Sequence, residues 1–204
     1  MKESSDRLSA AIVTDAVVVP AARRTLADYL ALAIGTCGVG FLPLAPGTWG
    51  SLVGVGLFLC VHWASLRLVL ADGKAENLGG LLPSFESTCL ILLLLPLTLA
   101  GVWAATRCEL LLGRKDPGAV VIDEVIGQLL AYVLVPALVS SGDKLWPFIV
   151  VGFLAFRTFD IWKPYPIRRL EKLGGGLGIM ADDWLAGNYA AALVCVLALI
   201  YRLF

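Results

Sequence analysis

Five long apolar runs divide the chain, over residues 49–66, 88–106, 125–141, 146–162 and 184–203. Each falls in the range of about 17–25 residues that a helix needs to cross a bilayer. The second is the plainest, reading Thr-Cys-Leu-Ile-Leu-Leu-Leu-Leu-Pro-Leu from Thr88 to Leu97. A sixth apolar stretch, 26–44, carries Asp28, then Gly35, Gly38 and Gly40, and it runs into Pro43 and Pro46. That many polar and helix-breaking residues suit an interfacial or re-entrant segment better than a span. The pattern predicts an all-α integral membrane protein with about five transmembrane helices and an N-terminal interfacial or re-entrant helical segment. Residues 1–25 mix Lys2, Glu3, Asp6, Arg7, Asp15, Arg23 and Arg24, with no short apolar core and no small-residue cleavage site. They are expected to form a polar, mobile tail rather than a signal peptide. Residues 26–204 are expected to form one membrane-embedded domain, without internal repeats or low-complexity segments.

Composition sharpens this picture. Apolar residues make up 59% of the 204 and charged residues 16%, against about 45–50% and about 25% in ordinary globular chains. Mean hydropathy is +0.85. The net charge is +0, so no global basic field points to nucleic acid. The distribution of charge says more than its sum. Five spans place the tail, loop 107–124 and loop 163–183 on one side, with 11 Lys and Arg, against 4 on the other (Arg67, Lys74, Lys144 and Arg202). The basic side is expected to face the cytoplasm.

That orientation brings four polar regions to the cytoplasmic ends of the spans. Asp123-Glu124 precedes the third span and Asp182-Asp183 the fifth. Each pair is either a helix cap favoured by the macrodipole or a set of hard oxygen ligands for Mg²⁺. Four carboxylates brought together repel unless a cation lies among them. Gly127 and Gly187 follow Asp123 and Asp183 by four residues, where a glycine lets a neighbouring helix approach closely. Arg157, Asp160 and Lys163 step by three and share one helix face. They form either an intramembrane ion pair with a snorkelling lysine or a phosphate- and metal-binding face. Arg168-Arg169 suit membrane anchoring or phosphate binding. Gly174-Gly175-Gly176-Leu177-Gly178 reads as a flexible loop or a phosphate cradle. Pro46-Gly47-Thr48-Trp49-Gly50-Ser51 reads as a span start or as a phosphate site at a helix N-terminus, with Thr48 or Ser51 assisting.

Other chemistries are argued against. The five cysteines (Cys37, Cys60, Cys89, Cys108 and Cys195) form no CxxC pair and mostly sit in apolar runs, so neither a disulfide framework nor a zinc site is expected. Cys108 and Arg114 match the C-x5-R spacing of cysteine phosphatases, but the intervening residues read as a helix end and Glu109 opposes a thiolate. His62 is the only histidine, is placed at the far end of the first span, and is given a structural role. A phosphohistidine mechanism normally needs a second histidine. The aspartyl-phosphate signature D-x-D-G is absent. Carboxylates, cations and glycine-rich turns remain, an inventory suited to metal-assisted phosphoryl chemistry.

The segments APGTWGSL (45–52), VIDEVIG (121–127), FRTFDIWKPYPIR (156–168) and GGLGIMADDWLAG (175–187) together resemble the bacterial phosphatidylglycerophosphatase A family. The resemblance covers about 26–204; the tail and the first outer loop, about 67–87, lie outside its motifs. It implies a Mg²⁺-dependent enzyme of the bacterial inner membrane that converts phosphatidylglycerophosphate to phosphatidylglycerol and inorganic phosphate; the charge bias puts its expected site at the cytoplasmic face. The family's acidic positions carry over onto Asp123, Glu124, Asp160, Asp182 and Asp183, and its basic ones onto Arg157, Lys163 and Arg168. In the expected mechanism Asp123, Glu124 and Asp182 or Asp183 hold one or two Mg²⁺, while Arg157, Lys163 and the Thr48–Ser51 region bind phosphate. A water attacks phosphorus, with an aspartyl-phosphate intermediate as the competing route. Rival readings are another lipid phosphomonoesterase, a CDP-alcohol phosphatidyltransferase, whose aspartate motif is missing, and a small anion-binding transporter, which would carry its charges at the midplane.

Overall fold

The computed structural model describes residues 24–71, 82–139, 145–170 and 173–204. Most of the expected tail, with parts of the loops around 67–87 and after 139, lies outside them. The described residues form helices and no strand: α1 (Leu26–Thr36), α2 (Pro46–Ala71), α3 (Leu82–Leu112), α4 (Ile122–Tyr132), α5 (Val135–Leu138), α6 (Leu145–Trp162), α7 (Ile167–Leu170) and α8 (Gly175–Leu203). Four of them, α2, α3, α6 and α8, are long and apolar enough to cross a membrane.

The segment expected as a further span, 125–141, is a broken pair, α4 and α5. Pro136 lacks the N–H that would bond the carbonyl of Tyr132, so the helix cannot run on unbroken. The N–H of Val133 turns back instead to Leu130 O at 3.2 Å. α4 is the centre of the molecule. Val121, Ile126, Leu129 and Tyr132 are fully buried, and α2, α3, α6 and α8 pack around it. This explains why α4 is apolar on nearly every side: it is enclosed by helices rather than lipid. The Tyr132 hydroxyl donates to Ile149 O at 2.7 Å and ties α4 to α6.

α1 has 11 residues, which at about 1.5 Å each is about half of a hydrocarbon core of about 30 Å. It lies along α3 and does not cross. After it the chain turns through left-handed backbone at Cys37, Gly38, Leu44 and Ala45 before Pro46 opens α2, a position that suits proline. Thr25 and Asp28 close a capping box at the start of α1. Arg107 of α3 donates to Asp28 Oδ1 at 2.7 Å. The Thr25 backbone N–H, then its hydroxyl and Arg107, hold the Asp28 carboxyl down at about 2. A depressed carboxylate contributes stability above its unfolded pKa and loses it as pH falls through the folded one. In detergent, the melting temperature is therefore expected to drop between about pH 4 and about pH 2 by more than that of Asp28→Asn.

His62 Nδ1 and Glu86 Oε2 are paired at 3.2 Å, and the imidazole stacks against Phe58. It lies 15 positions along α2 from Gly47, about 22 Å at helical rise. The polar cluster described next is at the other end, so the structural role expected of His62 fits its place.

Candidate active site

Four helix ends converge at one end of the bundle. α4 begins with Asp123 and Glu124, α6 ends with Arg157 and Asp160, α2 begins with Gly47, and Asp183 lies two turns into α8. Three hydrogen-bonding and packing features fix this meeting. The N–H of Val121 donates to Gly35 O of α1 at 2.8 Å, which anchors the chain just ahead of Asp123. Gly127 and Gly187 face each other where α4 crosses α8: a Cβ on Gly187 would collide with Gly127 O, and one on Gly127 would lie 2.8 Å from Asp183 O. Both glycines thus permit the close approach that their spacing predicts. A Cβ on Gly50 would lie 2.8 Å from Val121 O, and one on Gly47 would collide with Glu124 Oε1 and lie 3.1 Å from Arg157 Nη1. The first turn of α2 therefore rests directly on Glu124.

Asp123, Glu124 and Asp183 each offer one carboxylate oxygen, and the three lie within 4.8 Å of one another. Asp123 and Asp183 are buried and Glu124 is half-buried. Asp123 Oδ1 and Glu124 Oε2 are buried without a hydrogen-bond partner among the described residues. Asp160 Oδ2 is paired with Arg157 Nη1 at 2.7 Å. Arg157 Nη1 also reaches Ser51 Oγ at 3.5 Å, while Ser51 donates to Gly47 O at 2.9 Å.

Asp182 falls outside the trio. One residue turns a helix by about 100°, so Asp182 points away from Asp183 and pairs with Lys163 Nζ at 2.7 Å. The other expected residues separate similarly. Thr48 stays in the first turn of α2, its N–H on Ala45 O at 2.9 Å. Ser51 is fully buried and braces Arg157. Arg168 is exposed and donates to Trp162 O at 3.2 Å, away from the carboxylates.

The acidic pair 182–183 does not cap its helix, and the glycine run before it is not a free loop. α8 starts at Gly175. The N–H of Gly176 donates to Thr106 Oγ1 at 2.9 Å. A Cβ on Gly176 would collide with Val102 O, and one on Gly178 with Leu173 O. These glycines let the first turn of α8 press against α3 and the chain before it.

Three hard oxygen donors, two with an orphaned oxygen, on helices locked by glycine contacts, suit a divalent cation that takes oxygen ligands. Cationic Arg157 lies beside Glu124, and Lys163 pairs with Asp182 on the neighbouring face of α8. This is the arrangement of a membrane phosphoryl-transfer or phosphate-releasing site. The family profile of phosphatidylglycerophosphatase A matches residues 33–198, and the chain belongs to that family. It is a lipid phosphatase, a phosphoric monoester hydrolase of a bacterial membrane.

Among similar proteins, one from Bacteroides thetaiotaomicron named "Putative phosphatidylinositol-3-phosphatase" is 36% identical over 170 residues, covering 83% of this chain and 94% of its own length. Phosphatidylglycerophosphatase A of Haemophilus influenzae is 35% identical over 165 residues, covering 80% and 84%. That of Escherichia coli is 31% identical over 167 residues, covering 80% and 79%. No solved structure matches.

Lys163 carries a prediction of its own. It follows α6 with φ at 48°, its N–H on Phe159 O at 2.8 Å. This left-handed end normally takes glycine, and another residue there costs about 1 kcal/mol or more. Lys163→Gly removes that strain together with the half-buried pair to Asp182. We expect the melting temperature to hold while phosphate release falls about 100-fold or more, as thermal unfolding and turnover measured on one preparation would show.

Proposed function

We propose that the protein removes the terminal phosphate of phosphatidylglycerophosphate with Mg²⁺, at the cytoplasmic face of the bacterial inner membrane. The observation that carries this is the trio Asp123, Glu124 and Asp183 within 4.8 Å, with two buried oxygens left for a ligand to bond. These three residues would hold the ion. Bound there, Mg²⁺ supplies Lewis-acid stabilisation of charge on the phosphoryl oxygens. The side carrying most of the Lys and Arg is the side of the trio, which supports a cytoplasmic site. The acyl chains stay in the bilayer and the phosphomonoester lies at the interface.

Arg157 and Lys163 bind phosphate oxygens, with Ser51 bracing Arg157. Asp160, paired with Arg157 at the end of α6 that meets the trio, takes the proton of the attacking water. The new P–O bond forms as the P–O bond to glycerol breaks, and the departing oxygen takes a proton from interfacial water. The products are phosphatidylglycerol and inorganic phosphate, and the reaction completes phosphatidylglycerol synthesis.

The test follows phosphate release in detergent micelles from phosphatidylglycerophosphate, phosphatidylinositol 3-phosphate and phosphatidate, each with Mg²⁺ and with EDTA. We expect the highest kcat/KM on phosphatidylglycerophosphate and no release in EDTA. A preference for phosphatidylinositol 3-phosphate would assign the chain the substrate named for the Bacteroides relative. Undiminished release in EDTA would refute the role of the metal.

A further inference from the structure

Gln128 is wholly buried, at 0% exposure, and neither atom of its amide has a hydrogen-bond partner among the described residues. It follows Glu124 by four positions on α4, so it lies on the same helix face, one turn further into the bundle. α2 covers it from the side: a Cβ on Gly54 would lie 2.8 Å from Gln128 Cβ. Glu124 Oε2, on the neighbouring turn, is likewise buried and without a partner. A glutamine that only glues helices together bonds a neighbouring helix, and this one bonds none of the described residues. An amide left so is costly to bury, and apolar side chains of its size are tolerated at enclosed sites. Its presence calls for a state in which the amide is bonded.

We propose that Gln128 is a positioning residue for the cation site. Its amide N–H donates to Glu124 Oε2, directly or through one water, on the lone pair that the ion does not use, and so fixes the carboxylate at the cation site. The inference rests on the reading that Asp123, Glu124 and Asp183 bind Mg²⁺. Partners that orient metal ligands from behind typically change metal affinity or activity by about 10–100-fold when lost. Ser51 behind Arg157 is a parallel case on the phosphate side of the same site.

The test compares the full-length wild type with Gln128→Met, which keeps the size and removes the amide. Thermal unfolding is recorded in detergent without metal and across a Mg²⁺ titration. Removing an unbonded buried amide is expected to leave the metal-free melting temperature of Gln128→Met equal to or above that of the wild type. The Mg²⁺ concentration that gives half of the thermal shift is expected to rise about 10–100-fold. A lower metal-free melting temperature with unchanged Mg²⁺ dependence would make the glutamine structural and overturn the proposal. If Gln128→Met does not fold, Gln128→Asn, which keeps the amide but withdraws it by one methylene, carries the same expectation for Mg²⁺, and an unchanged half-saturation there overturns it. A wild type with no Mg²⁺-dependent shift would overturn the cation site and this inference together. A shift in the wild type that the variant reproduces would overturn this inference alone.

Discussion

Asp183→Asn is expected to lower phosphate release about 10²–10³-fold while raising the melting temperature of the metal-free protein. The two effects share one cause. Asp183 lies with Asp123 and Glu124 inside 4.8 Å. Ionised carboxylates this close repel, so a neutral amide of the same shape relieves the metal-free fold. The same change removes a hard anionic donor from the site. Several kcal/mol of transition-state stabilisation by a metal ion corresponds to about two to three decades of rate. Asp123→Asn is expected to behave alike. Asp182→Asn separates the two acids of that pair: it breaks the ion pair to Lys163 without touching the trio, so its metal dependence stays that of the wild type. Unfolding curves in EDTA and turnover in Mg²⁺, from the same purified samples, check both signs. A variant with lower metal-free stability and full activity would contradict the account.

Gly187→Ala is expected to disable the enzyme by prising two helices apart. The added Cβ meets Gly127 O, Gly127 C at 3.0 Å and Leu130 Cβ at 3.0 Å. Two of these are backbone atoms of α4 and cannot rotate away, so α8 must shift. Overpacking of this kind costs about 1–3 kcal/mol. The functional loss is larger than the stability loss, because Asp183 lies one turn from Gly187 and the shift carries it away from Asp123 and Glu124. A misplacement of about 1 Å can cost about 10²-fold in rate. The expected result is an inserted protein with a lowered melting temperature, and with Mg²⁺ half-saturation raised more than stability alone explains. Gly56, with open space around its α-carbon, is the control: Gly56→Ala leaves both quantities near those of the wild type.

Much of this site is legible in the chain. The two acidic pairs, the three-residue steps of Arg157, Asp160 and Lys163, and the glycines four residues after Asp123 and Asp183 all point to one membrane face. The glycine spacing also holds the signal that separates Asp183 from Asp182, because only Asp183 shares a helix face with Gly187, and Gly187 meets α4. The start of α8 was hidden. A glycine run reads as a loop unless a partner close enough to exclude a Cβ is known, and Val102 O and Thr106 supply it only in three dimensions. The break between α4 and α5 was hidden for another reason: a helix enclosed by protein is as apolar as one facing lipid, and only Pro136 marked the interruption. Gln128 sits in an apolar run, where only its spacing of four from Glu124 marks it. The spacing of Gly47, Gly50 and Gly54 likewise marks a face of close approach, which the structure lays against Glu124, Val121 and Gln128.

The central claim is that Asp123, Glu124 and Asp183 bind one divalent cation between them. Crystals of the protein grown with Mn²⁺ in place of Mg²⁺, measured at the manganese absorption edge, test it most directly. An anomalous difference peak among the three carboxylates, absent from Asp183→Asn crystals, is the predicted result. A peak elsewhere, or none at saturating Mn²⁺, would contradict it.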